Sequence, residues 1–177
     1  MKTRTTRRRP TPKRNRSTFN RIALAVAFAG IFDLLTKRAI VASLVPGERR
    51  TIVPGWLQIT YAQNTHGAMG LFGDRTWLLI VLALIVIGVL SVMLRDLIRE
   101  SPLAQVGFGL VLGGAIGNVI DRVLHHFVID FIAPRWFYIF NGADSCITAG
   151  LVLMAIASLR NPGPRASVPP SEAQSPA

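Results

Sequence analysis

Asp130 and Asp144 are the residues whose setting best suits chemistry. Asp130 sits in the alternating run His126-Phe127-Val128-Ile129-Asp130-Phe131, an apolar stretch poor in counter-charges, and Asp144 stands at the start of a long apolar segment. Both belong to one connection between apolar segments, so the two carboxylates can converge at one depth. Like charges a few ångströms apart do not both ionise easily, and such a pair holds one proton between them. The ionised partner can then draw a proton from water while the protonated one donates to a carbonyl oxygen or a leaving amine, which is the chemistry of amide hydrolysis. Asn141, three residues before Asp144 and on its helix face, places an amide where it could hold a substrate backbone.

Other polar groups need positions of their own. Asn118 and Asp121 continue a stripe from Gly114 (i, i+4, i+7) on one helix face, with Arg122 following. Asp33 and Lys37 are spaced i, i+4, and a same-face ion pair is the plain expectation. Asp121 and Arg122 read as a structural network at a helix end. His125 and His126 diverge as neighbours do, no HExxH spacing occurs, and no metal or organic cofactor is expected. Cys146, the single cysteine, reads as a small packing residue. Carboxylates at membrane depth also serve ion relay, so a small cation transporter or channel using Asp33, Asp121 and Asp130 is the alternative function.

The elements that must position these groups are apolar. Half of the 177 residues are hydrophobic and 16% are charged, a balance suited to solvation by lipid. Four stretches have membrane character, about 22–45, 77–94, 102–120 and 143–159, and Leu78–Leu94 is an uncharged run of seventeen residues. The fold class expected is an all-α membrane protein of four transmembrane helices with a small extracytoplasmic β-rich segment. That segment is read from Thr51-Ile52-Val53, the Pro54-Gly55 turn and the strand formers Trp56 to Tyr61. Gly109, Gly113 and Gly117 recur every four residues and predict close helix packing. The aromatics of Arg135-Trp136-Phe137-Tyr138-Ile139-Phe140 fit a headgroup belt.

Charge sets the orientation. Residues 1–21 carry nine basic side chains and no acidic one, nine of the net +11. A basic leader beside an apolar helix marks a cytoplasmic N-terminus, and no folded basic groove speaks for nucleic acid. Residues 1–21 are expected to be a disordered leader, residues 22–160 one membrane domain, and residues 161–177, with five prolines, a disordered tail. Four spans return the C-terminus to the cytoplasm, and Arg95, Arg99 and Arg160 fall on the same side. Residues 46–76 and 121–142 then lie outside.

Four ordered motifs carry a resemblance. Gly113-Gly114-Ala115-Ile116-Gly117-Asn118-Val119-Ile120-Asp121-Arg122, Val128-Ile129-Asp130-Phe131, Phe140-Asn141-Gly142-Ala143-Asp144-Ser145 and Asp33-Leu34-Leu35-Thr36-Lys37 are similar to blocks of the lipoprotein signal peptidases (signal peptidase II). The resemblance covers roughly residues 20–160. It implies a bacterial inner-membrane aspartyl endopeptidase that cuts diacylglyceryl-modified prolipoproteins before the lipidated cysteine, acting as a monomer among membrane lipid with its site near the extracytoplasmic face. It places the catalytic pair on Asp130 and Asp144, and supporting roles on Asn118, Asp121, Arg122, Asn141, Asp33, Lys37, Asn64 and Gly67. Leu34 stands where the family usually has Gln, and Asn64-Thr65-His66-Gly67 has one residue more between Asn and Gly than the family pattern. The helix N-terminus beside Asp144 favours its ionised form, making it the expected base.

Overall fold

The computed structural model describes residues 12–65, Gly67 and residues 76–160. Residues 1–11 of the expected leader, the expected tail 161–177 and His66 lie outside the described residues. The chain is mainly helical: α1 (Pro12–Ser43), α2 (Thr76–Met93), α3 (Arg95–Glu100), α4 (Pro102–His125) and α5 (Gly142–Arg160). Three strands, β1 (Arg49–Val53), β2 (Leu57–Asn64) and β3 (Val128–Pro134), complete it.

Local sequence explains the ends. Ser101 caps α4 by accepting from the Ala104 amide at 3.3 Å, with Pro102 in the first turn. The helix runs five residues past the expected end at Ile120, carrying Asp121 and Arg122 within it, and stops where His126 adopts a left-handed conformation (φ 65°). α1 stops at Ser43, shortly before Pro46, which disfavours helical geometry at Val45. Its other end corrects the expectation of a wholly disordered leader, because α1 already starts at Pro12. Arg and Lys are good helix formers, and α4 ties this end down. Buried Gln105 donates to Thr18 at 3.2 Å and accepts from Arg21 at 3.0 Å.

α4 is the spine. Along one face a Cβ at Gly109 would meet the Ile22 carbonyl at 2.7 Å, and one at Gly113 the Val26 carbonyl at 2.7 Å, so only glycine admits the α1 backbone at this distance. The opposite face meets α5, where Gly107 and Gly150 lie against each other. α2 and α3 close on this pair through Leu90, Leu94 and Ile98, which gather around Val111 and Met154. Large apolar side chains such as Leu24, Phe28, Leu84, Ile85 and Val152 face outward, a coat that water does not tolerate and lipid does. α4 and α5 are each long and apolar enough to cross a membrane, and α2 is a shorter apolar helix.

The small sheet has the order β1-β2-β3, antiparallel throughout. Its third strand is a finding: the sequence reading saw alternation around Asp130 but assigned no strand there. Val128, Ile129 and Phe131 are buried, and β3 pairs Asn64 with Val128 and Ala62 with Asp130. An irregularity between Ile59 and Ala62 shifts the register, re-aiming the end of β2. Tyr61 and Ile129 pack on Leu44, seating the sheet on the end of α1.

Candidate active site

The site forms where α1, α4, α5, β2 and β3 meet. Asn141 is its hub, 0% exposed. It caps α5: its Oδ1 accepts from the Asp144 amide at 3.0 Å, while Asp144 Oδ2 accepts from the Asn141 amide at 3.3 Å. This is a reciprocal capping box written with Asn and Asp. The side-chain amide of Asn141 is thereby left to face inward, where it donates to Asp130 Oδ1 at 2.7 Å and Asn118 Oδ1 at 3.1 Å.

The two carboxylates are thus held through one asparagine and differ in environment. Asp130 is 3% exposed and accepts on its other oxygen from Asn64 Nδ2 at 2.7 Å. Loss of water, reinforced by the neighbouring Asp144, pushes its pKa up to about 6 against the pull of Asn64 and Asn141. Asp144 is only partly buried and accepts from Asn118 Nδ2 at 2.8 Å. Amides hold both groups, and solvent reaches Asp144 more readily.

Asn64 is itself oriented. The Gly67 amide donates to Asn64 Oδ1 at 2.9 Å, leaving Nδ2 to face Asp130. Gly67 has φ 73°, a conformation costly for other residues.

Beneath the carboxylates lies an ion cluster that revises one reading. Lys37, 4% exposed, bonds Asp33 at 2.6 Å as expected, and it also bonds Asp121 of α4 at 2.8 Å. Its Nζ further donates to Asn118 Oδ1 at 3.3 Å. Asp121 therefore belongs with Lys37 and not to a separate network with Arg122. Asp33 Oδ1 in turn accepts from the Ala143 amide at 2.9 Å, so α1 helps to cap α5 immediately before Asp144. Arg122 turns elsewhere: its Nη1 donates to the Asn118 carbonyl at 3.1 Å, its buried Nε has no partner among the described residues, and its charge acts on Asp130 and Asp144.

Every site residue named from the sequence is accounted for: eight side chains and Gly67 join one network, and Arg122 borders it. The hub role of Asn141 was not foreseen, although the spacing Asn141-Gly142-Ala143-Asp144 is the signal of a capping box. His125 and His126 are exposed on the surface, and no group of three or more His, Cys, Asp or Glu that could hold a metal occurs among the described residues.

The family described as signal peptidase (SPase) II matches residues 18–160, a span that contains the whole network. A lipoprotein signal peptidase of Syntrophomonas wolfei is 43% identical over 126 residues, 71% of this chain and 84% of that protein. One of Staphylococcus carnosus is 38% identical over 133 residues, covering 73% of this chain and 84% of the relative. A solved structure described as a bacterial membrane enzyme, determined by the in meso method, matches with a TM-score of 0.68 at 29% identity, covering 89% of this chain and 95% of its own. A second so described matches with a TM-score of 0.66 at 31% identity, over 80% and 94% of the two chains. By sequence over most of its length and by fold, the chain belongs to the signal peptidase II family of aspartic peptidases.

Proposed function

We propose that Asp130 and Asp144 are the catalytic pair of an endopeptidase that removes the signal peptide from diacylglyceryl-modified prolipoproteins, cutting before the lipidated cysteine. The removal of signal peptides from prolipoproteins follows from the family. The observation that carries the residue assignment is the Asn141 side chain, which binds Asp130 directly and reaches Asp144 both through its cap and through Asn118. No other two carboxylates among the described residues combine burial with freedom from a lysine or arginine bonded to them: Asp33 and Asp121 are both engaged by Lys37.

Asp130, with its raised pKa, holds the proton, and Asp144, nearer solvent at the start of α5, is the base. Asp144 removes a proton from water, whose oxygen attacks the scissile carbonyl carbon. The Asp130 proton passes to the carbonyl oxygen. Collapse of the diol breaks the C–N bond: Asp130 takes back a hydroxyl proton and the proton gained by Asp144 leaves on the amine, which restores both groups. Arg122, with donors to spare, would bind a backbone carbonyl of the substrate. All these groups come from one chain, so one copy suffices.

The helices α1, α2, α4 and α5 cross the bilayer, with the termini and α3 in the cytoplasm and the sheet at the outer face. This placement brings the carboxylates to the depth of a lipid-anchored peptide. The cation-path alternative loses two of its three carboxylates to Lys37.

The test is cleavage of a diacylglyceryl-modified prolipoprotein by purified wild type, Asp130→Asn and Asp144→Asn, beside an unlipidated control. Wild type cuts only the lipidated substrate, and each variant, folded as judged by thermal unfolding, loses at least about 10³-fold in rate, a loss in line with removal of a general acid or base. Near-normal cleavage by either variant sinks the assignment.

A further inference from the structure

A cavity of about 480 Å³ lies at the far end of the sheet from Asp130. It opens between the β1–β2 turn and the stretch after β3, with Trp56, Leu57 and Phe137 among its walls and Arg49 and Arg135 at its border. Among the described residues no acidic side chain lines it. Neither arginine is in an ion pair among the described residues, whereas the neighbouring Arg50 is paired with Glu48 at 3.0 Å. Arg135 is held in place: its guanidinium sits 4.9 Å over the Trp136 ring, and its backbone amide donates to the Trp56 carbonyl at 2.9 Å. Trp56 and Phe137 of the lining, with Trp136 and Tyr138 beside Phe137 in the chain, are 56–76% exposed.

Two guanidiniums without an ion pair among the described residues, in a cavity also lined by Trp56, Leu57, Phe137 and Ile139, fit an anion that carries an apolar body, and the volume lies in the range of small-ligand sites. The exposed tryptophans and tyrosine are the residues that settle at the headgroup level of a bilayer. We propose that this cavity binds the phosphate of an anionic phospholipid in the outer leaflet, docking the sheet on the membrane. β2 runs from the cavity wall at Leu57 to Asn64, which bonds Asp130, so the bound lipid steadies the strand that presents Asn64. The inference rests on the proposed outer position of the sheet but not on catalysis.

The test uses the full chain in nanodiscs of phosphatidylcholine doped with a photoreactive phosphatidylglycerol whose probe lies next to the phosphate, with crosslinks mapped by mass spectrometry. Crosslinks are expected in residues 49–58 and 133–139. They fall about twenty-five-fold in Arg49→Gln/Arg135→Gln, at roughly fivefold for each guanidinium at an anionic surface, and are retained in Arg49→Lys/Arg135→Lys. Crosslinks to the basic residues 1–21 stay unchanged and serve as the internal control. The proposal is overturned if the Gln variant keeps its sheet crosslinks, or if phosphatidylcholine carrying the same probe labels the sheet equally. It is likewise overturned if soluble glycerol phosphate or an unlipidated prolipoprotein peptide displaces the lipid, since the site would then take a free phosphate or the substrate chain. None of these readouts needs cleavage, so an inactive preparation does not imitate a failure of lipid binding.

Discussion

Asp130 ionises only at a cost to the fold. Its ordinary pKa is 3.8 and burial raises it to about 6, so between those values the folded protein binds a proton that the unfolded chain has released. Stability therefore falls as pH rises through this window, and the full penalty, about 3 kcal/mol for a rise of some two units, is present above about pH 6. Asp130→Asn removes the charge while keeping the shape. Its thermal stability relative to wild type is expected to be higher at about pH 7 than at about pH 4, and an offset that does not change with pH contradicts this. The same proton predicts that kcat/KM declines as pH rises through about 6, because the free enzyme then loses its acid. At this scale the sequence was informative: Asp130, Asp144, Asn118 and Asn141 could all be named, since few polar groups stand in such apolar surroundings. The helix N-terminus already suggested Asp144 as the base, but the burial that raises Asp130 could not be read, because it depends on how much water the folded chain leaves each carboxylate.

Helices deliver these residues, and the α1–α4 contact sets their spacing. Gly113 lies against Val26 and Ala29, and a Cβ there would come within 2.7 Å of a carbonyl oxygen. Gly113→Leu is expected to force α1 and α4 apart and to destabilise the protein by at least about 1–3 kcal/mol. The displacement also carries Asp33 and Lys37 away from Asp121, so activity should fall further than stability alone dictates. Gly88, with nothing within 4 Å of its would-be Cβ, is the comparison site, where alanine should leave both unchanged. Equal effects at the two positions, read by thermal unfolding and cleavage, count against the packing account. The glycine stripe was legible as a four-residue repeat, whereas β3 was not recognised, since a short apolar run can pass as strand or connection until a partner strand is in view.

For the whole molecule, the proposed topology puts α3 and the sheet on opposite faces of the membrane. Cys146 is buried, so a cysteine added at an exposed position can be labelled against a quiet background. In intact cells, an impermeant thiol reagent is expected to label Val53→Cys in the sheet and to spare Arg99→Cys in α3 until the membrane is permeabilised. Labelling of Arg99→Cys first, or of both at once, inverts or breaks the four-span arrangement. Four apolar stretches and a basic leader were apparent from composition and charge alone. That the leader becomes helical from Pro12 was not, because Gln105 on α4, which holds Thr18 and Arg21, is distant in sequence.

What the sequence determined by itself was local: the apolar runs, the glycine stripe, the Asp33–Lys37 spacing, and the residue types of the site. These follow from helix periodicity and from hydrogen bonds between near neighbours, which a linear pattern specifies. Only the tertiary structure decided that Lys37 sits between Asp33 and Asp121, that Asp33 caps the α5 amide at Ala143, and that Asn64 crosses 66 residues to reach Asp130. A buried polar group must find a partner, but the sequence allows several. The choice falls to the close α1–α4–α5 packing and the sheet register, which place one partner within reach and leave the others too far away.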